Sequence, residues 1–157
     1  MMRSIRNRLR SRRGNAMVEF ALSACVLFPL FIGTFQYGYT FYVYNLLCAH
    51  MRGGARYASL KTFQASHSDA WKTAVKNMIL YGNSAGTGAM IQPGLTAAQI
   101  DVEIKDPNGN NADATHVPYY VTVSTTNYSV DAVMTTFNFN GKPAVQFPYL
   151  GRYAPEE

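Results

Sequence analysis

A long segment without charge is the feature of this sequence that most restricts its fold. Residues 20–51 contain no Asp, Glu, Lys or Arg, and residues 20–35 are dense in Leu, Phe, Val and Ile. A helix of about 20 apolar residues is long enough to cross the roughly 30 Å of hydrocarbon in a bilayer. The segment therefore predicts a transmembrane helix, in which Pro29 would produce a bend or a locally loosened turn rather than a break.

The charges outside this segment predict its orientation. Six arginines lie among the first thirteen residues, whereas residues 15–157 carry eight Lys and Arg residues against nine acids. Positive charge marks the cytoplasmic flank of a span, and the tyrosines at 37–44 are typical of the opposite interface. We expect a cytoplasmic N-terminus and a periplasmic C-terminal part. A basic arm can also bind nucleic acid, but its position directly before the span favours an anchor, and we expect no nucleic-acid partner.

The start of the span has the pattern of a processing site. It reads RRGNAMVEFAL, in which Gly14 follows basic residues and Glu19 immediately precedes the apolar run. This arrangement resembles the type IV prepilin site, where a membrane aspartic peptidase cuts after the glycine. The resemblance implies cleavage between Gly14 and Asn15, with Glu19 as the fifth mature residue. The new amine of Asn15 could pair with a Glu19 carboxylate of the same or a neighbouring subunit, which would offset the desolvation of both charges.

A wider resemblance covers residues 12–60. Val18-Glu19-Phe20-Ala21-Leu22, Pro29 and the sequence GGARYA at 53–58 resemble the TadE-like family, minor pseudopilins of the tight adherence (Flp) pilus machinery. The resemblance implies a single-pass protein of the bacterial inner membrane that acts in pilus assembly, with biofilm formation downstream. It implies three kinds of partner: a prepilin peptidase, other pilins or pseudopilins, and inner-membrane assembly proteins. TadF-like and TadG-like relatives share the N-terminal pattern and remain alternatives.

The helix is expected to continue beyond the tyrosines. Gly53 and Gly54 would each cost about 1 kcal/mol inside a helix, so they indicate a bend or a close approach by another chain. Arg52 and Arg56 are four residues apart and share one helix face. They are candidates for contact with an acidic partner or with lipid phosphates.

The remaining residues predict a small domain outside the membrane. A second helix would start with Ser66 as its N-cap and Asp69 in its first turn, and a loop would cover residues 82–94. Strands are expected at 100–105, 118–130 and 144–150, with turns at 106–111 and 140–141. The predicted fold class is α+β, a long N-terminal helix packed against a small antiparallel sheet, as in a pseudopilin. The predicted parts are a leader (1–14), a transmembrane helix (15–44) and an extracytoplasmic α+β domain (45–157).

No residue set has the pattern of an active site or a metal centre. Residues 22–25 match a lipoprotein box, but the apolar run continues past Cys25. Residues 82–86 match G-x-S-x-G, but a helix rather than a strand precedes them. The three histidines lack metal-ligand spacing. We expect no enzyme activity, catalytic residue, metal or cofactor.

Two further expectations concern function and the cysteines. The alternative to a processed pseudopilin is an uncleaved signal-anchor protein whose periplasmic domain binds a partner. Cys25 and Cys48 would be about 35 Å apart on one helix, so they cannot form a disulfide within one chain.

Overall fold

A small α+β domain packs against the C-terminal half of one long helix. In a computed structural model of the chain, residues 3–132 and 135–154 are described, with side chains from Gly14 onward. The first helix, α1, spans Arg3–Leu60 and continues without a break through Pro29 and both glycines at 53 and 54. The predicted α+β fold class, with a long apolar helix and a small antiparallel sheet, is confirmed.

The domain packs against one face of α1. The buried residues on this face recur every three or four positions, which is the spacing of one helix stripe. They include Gln36, Thr40, Val43, Leu47, Met51, Ala55 and Ala58. The domain therefore covers α1 from Gln36 onward.

The second helix, α2 (Ser68–Tyr81), packs mainly against α1 and buries Trp71, Val75, Ile79 and Leu80. Asp69 lies in its first turn, as predicted. The helix ends at Gly82, whose positive φ of 72° suits a residue without a side chain.

The predicted N-cap of α2 is wrong. A short 3-10 turn, Ala65–His67, precedes the helix, and His67 rather than Ser66 occupies the cap position. The Ser66 hydroxyl hydrogen-bonds to His67 Nδ1 at 3.0 Å instead of capping an α2 amide. A serine one residue outside the cap cannot reach the first free N–H groups of the helix.

Three strands form an antiparallel sheet in the order β2-β3-β6. They are β2 (Ile100–Lys105), β3 (Tyr120–Thr125) and β6 (Ala144–Pro148). Inward residues of β2 and β3 alternate with outward ones, as expected for a sheet with one buried face. The predicted strand at 100–105 and the turn at 106–111 are confirmed, and the last predicted strand is shorter than 144–150.

The predicted strand over 118–130 is two strands. β3 ends at Thr125, and β4 (Tyr128–Asp131) pairs with β5 (Thr136–Phe139) in a separate antiparallel hairpin. Asn127 lies between them with a positive φ of 53°. This left-handed conformation interrupts an extended chain, and Asn accepts it more readily than most residues do.

A two-stranded parallel pair closes the domain near the end of α1. Here β1 (Phe63–Gln64) pairs with β7 (Tyr153–Ala154). The Tyr149 hydroxyl lies between the same two chain segments. It accepts from the Phe63 N–H at 2.9 Å and lies 2.9 Å from the Lys61 carbonyl and 2.8 Å from the Arg152 carbonyl. One side chain thus joins the end of α1 to the C-terminal segment.

Candidate functional site

The N-terminal part of α1 is an apolar helix that the domain leaves uncovered. Between residues 17 and 35 large apolar side chains are exposed around the helix, among them Phe20 at 74 % and Phe31 at 72 %. Monomeric soluble proteins rarely expose a continuous apolar patch of more than a few hundred Å². Burying each such side chain is worth about 1.5–3 kcal/mol, so this segment strongly favours an apolar environment.

The length of the uncovered part matches the thickness of a bilayer. The exposed large apolar side chains from Met17 to Phe35 cover a rise of about 28 Å at 1.5 Å per residue, against roughly 30 Å of hydrocarbon. The next residue, Gln36, is only 4 % exposed because the domain begins there. The helix Gly14–Leu60 is long and apolar enough to cross a membrane, and none of its most apolar window is buried. It therefore differs from the core helix of a soluble protein and is consistent with a single-pass anchor.

The three predicted processing and pairing residues lie at the start of this uncovered part. Gly14, Asn15 and Glu19 are all helical and exposed, and a Cβ at Gly14 would meet open space. Asn15 and Glu19 are four residues apart, so they lie one above the other on the same helix face. Within the part of the chain whose side chains are described, the Glu19 carboxylate forms no ion pair.

Aromatic side chains of the β4–β5 hairpin pack against two of the tyrosines at 37–44 that are predicted to lie at the membrane interface. The ring of Tyr37 meets Phe137 edge-on, with centroids 5.8 Å apart, and Tyr44 meets Phe139 at 5.6 Å. Phe139 also stacks on Tyr128 at 6.2 Å. The sequence analysis predicts no element at 131–139, so it does not identify these partners of the tyrosines. The alternation of Phe137 and Phe139 was the signal that could have revealed them.

Arg52 and Arg56 lie on the uncovered face of α1, where both are exposed. Neither takes part in an ion pair among the described side chains. Gly53, beside them, also has open space around it. Gly54 points the other way, toward Ile79 of α2, so the close approach at this glycine comes from the same chain. The two arginines remain available for an external partner.

The other candidate residues do not converge on one site. Cys25 is exposed on the apolar segment, Cys48 is half-buried, and both are free thiols, as their spacing requires. Ser84 lies in an exposed loop that follows a helix, so the surroundings of a nucleophile elbow are missing there. Among the described residues, no three His, Cys, Asp or Glu side chains are placed to share a metal ion.

Comparison with known proteins identifies the N-terminal region. The family model described as TadE-like protein matches residues 14–56. No curated protein and no solved structure matches the chain. The matched range begins at Gly14, includes the whole uncovered apolar segment and ends four residues before α1 does. The resemblance to the TadE-like family is therefore confirmed over residues 14–56.

Proposed function

We propose that this chain is a minor pseudopilin-like component of tight adherence pilus assembly, processed by a prepilin peptidase after Gly14. The observation that carries the proposal is that the TadE-like match, residues 14–56, contains all of the exposed large apolar side chains between Met17 and Phe35. A TadE-like segment supports involvement in Tad pilus assembly, and the uncovered helix supplies a surface for lipid and for other helices.

The proposed cleavage is a hydrolysis of the peptide bond between Gly14 and Asn15. Water adds at the Gly14 carbonyl carbon, the C–N bond breaks, and the products are a leader carboxylate and an Asn15 amine. Gly14 is exposed and has no side chain, so a peptidase can approach its backbone closely. The bond lies inside α1. The peptidase must therefore unwind the helix locally before it can cut.

Cleavage would change the charge of the chain and create a new cation. The leader carries six of the fourteen Lys and Arg residues, and residues 15–157 carry eight cations against nine acids. The Asn15 amine would then stand one helical turn from the Glu19 carboxylate. In an apolar environment each charge is costly alone, so pairing within a subunit or between subunits would set the register of neighbouring helices.

In the proposed role this chain binds other proteins of the assembly and does not itself catalyse a reaction. Its helix would pack with the helices of pilins, pseudopilins and inner-membrane assembly proteins. The N-terminus would lie in the cytoplasm and the domain in the periplasm, as the basic leader predicts. Arg52 and Arg56 would face acidic side chains of a partner rather than lipid phosphates, because both are exposed and about 25 Å of helix separates Arg52 from the end of the apolar segment at residue 35.

The mature N-terminus tests this proposal. The full chain is produced in cells with and without a prepilin peptidase, and the intact mass is measured by mass spectrometry. We expect Asn15 at the N-terminus only when the peptidase is present. Gly14→Val should block the cut, whereas Gly33→Val, at another open helical glycine, should not. An intact leader in cells that contain the peptidase would instead favour an uncleaved signal-anchor protein with a partner-binding domain.

A further inference from the structure

The β4–β5 hairpin lies along α1, and β5 begins at the end of the hairpin nearer the apolar segment. As β5 runs from Phe137 to Phe139, its aromatic contacts move from Tyr37 to Tyr44. The strand therefore runs in the same direction as α1. Because β4 is antiparallel to β5, the last residue of β4 and the first residue of β5 both lie on the side of the N-terminal half of the helix.

The hairpin end reaches the level where the uncovered apolar segment stops. Thr135 is two residues before Phe137, or about 7 Å along an extended strand. The same distance along α1 is between four and five residues at about 1.5 Å each. Starting from Tyr37, this leads to residues 32–35 of the helix, where Ile32 and Gly33 are half-buried while the neighbouring Phe31 is exposed. The backbone closes here with a hydrogen bond from the Ala132 N–H to the Thr135 carbonyl at 3.0 Å.

The side chains at this end suit the boundary between lipid headgroups and acyl chains. Phe137 supplies an aromatic ring beside the exposed Tyr37, and aromatic rings concentrate at this depth. Thr135 and Thr136 are exposed, and the Thr136 hydroxyl donates to Asp131 Oδ1 at 2.9 Å. The hairpin residues 128–139 include no Lys or Arg. Attraction to anionic headgroups therefore does not hold the hairpin there.

We propose that Ala132, Thr135 and Thr136, at the ends of β4 and β5, rest in the periplasmic interface of the bilayer, as a second membrane contact beside α1. The proposal depends on the membrane span in the proposed function, because that span places the interface near residue 35. A domain held by one helix alone can tilt about the point where the helix leaves the membrane. A second contact restricts that tilt, so it would orient the domain for its assembly partners.

Brominated phospholipids test the proposal, because bromine quenches tryptophan fluorescence only over short distances. Three single variants of the full chain are placed in phosphatidylcholine vesicles: Thr135→Trp in the hairpin, Phe28→Trp in the apolar helix and Leu150→Trp near the far end of α1. The Leu150 N–H donates to the Ser59 carbonyl, which places the third reporter far from residue 35. The native Trp71 is 3 % exposed in the core, and its signal is measured in the unchanged chain.

We expect bromines near the headgroup end of the acyl chain to quench the Thr135→Trp variant at least twofold more than bromines near the bilayer centre. The Phe28→Trp variant should show the reverse order, and the Leu150→Trp variant should not be quenched beyond the unchanged chain. If Phe28→Trp is quenched and Thr135→Trp behaves like Leu150→Trp, the hairpin contact is wrong while the span stands. If Phe28→Trp is not quenched either, the span and the proposed function fail. Thr136→Trp is a second reporter in case the first variant does not fold.

Discussion

Gly54 of α1 lies directly against Ile79 of α2. A Cβ at position 54 would overlap Ile79 Cγ1 and would lie 2.8 Å from Cδ1. The neighbouring Gly53 has open space at the corresponding position. Two adjacent glycines in one helix thus have different physical roles, since only Gly54 is required by the packing of the two helices.

Alanine substitutions should separate these two glycines. Gly54→Ala should lower the free energy of unfolding by about 1–3 kcal/mol, because the added methyl group overpacks a buried contact. Gly53→Ala should raise it by about 0.5–1 kcal/mol, because alanine is the better helix former. Denaturation of the full chain in detergent micelles, followed by Trp71 fluorescence, measures both. Equal effects of the two variants would show that α2 does not approach α1 at Gly54.

Removal of the Tyr149 hydroxyl should weaken the contact between the end of α1 and the C-terminal segment. Tyr149→Phe deletes the acceptor for the Phe63 N–H and the donor to the Lys61 or Arg152 carbonyl. We expect a loss of about 1–2 kcal/mol in unfolding free energy. The control is Tyr119→Phe, because Tyr119 is 61 % exposed and its change should stay within about 0.5 kcal/mol. A Tyr149→Phe variant as stable as this control would contradict the bridging role.

The stability of the domain should fall in acid partly through Asp113. Hydrogen bonds from the side chain and backbone of Thr115, and then from His116, hold the pKa of the Asp113 carboxyl well below its usual range. The folded chain then binds fewer protons than the unfolded chain, so this contribution is present above about pH 3.9 and is lost as the pH falls below that value.

Two substitutions isolate this carboxylate. Asp113→Asn keeps an oxygen that can accept from the Thr115 and His116 N–H groups but removes the charge, so stability should depend less on pH between about 4 and 2. Asp113→Ala removes the acceptor and should be less stable than the asparagine variant at every pH. Urea denaturation at a series of pH values measures this. An unchanged acid dependence in Asp113→Asn would exclude the proposed cause.

Glu19→Gln should separate processing from assembly. The cut lies four residues away from Glu19 and should still occur, whereas the charge that pairs with the Asn15 amine is lost. We expect a normal mature mass and at least a fivefold lower amount of the chain recovered with crosslinked assembly partners. Glu19→Asp, which keeps a carboxylate on a shorter side chain, should retain an intermediate amount. Recovery of Glu19→Gln equal to that of the unchanged chain would rule out the pairing.

Short strands with ordinary side chains were the hardest elements to predict. β1 and β7 have two residues each, which is too few for any alternation to appear in sequence. The division of 118–130 depends on the backbone of Asn127, and a single residue in the left-handed region gives little warning in a run rich in Tyr, Val and Thr. β5 has only four residues, so the alternation of Phe137 and Phe139 is a weak signal in the sequence. The strand nevertheless completes the aromatic contacts with Tyr37 and Tyr44.

The sequence by itself determined the apolar helix, the basic leader before Gly14, the position of Glu19 and the alternation at 100–105. These features depend on composition and on regular spacing, which are local properties of a chain. Only the tertiary structure decided that Gly54 meets Ile79, that Gln36 is buried by the domain, and that Phe137 and Phe139 pack on Tyr37 and Tyr44. Those relations depend on contacts between residues far apart in the chain, and helical spacing can mark the buried face of α1 but does not encode which element packs against it.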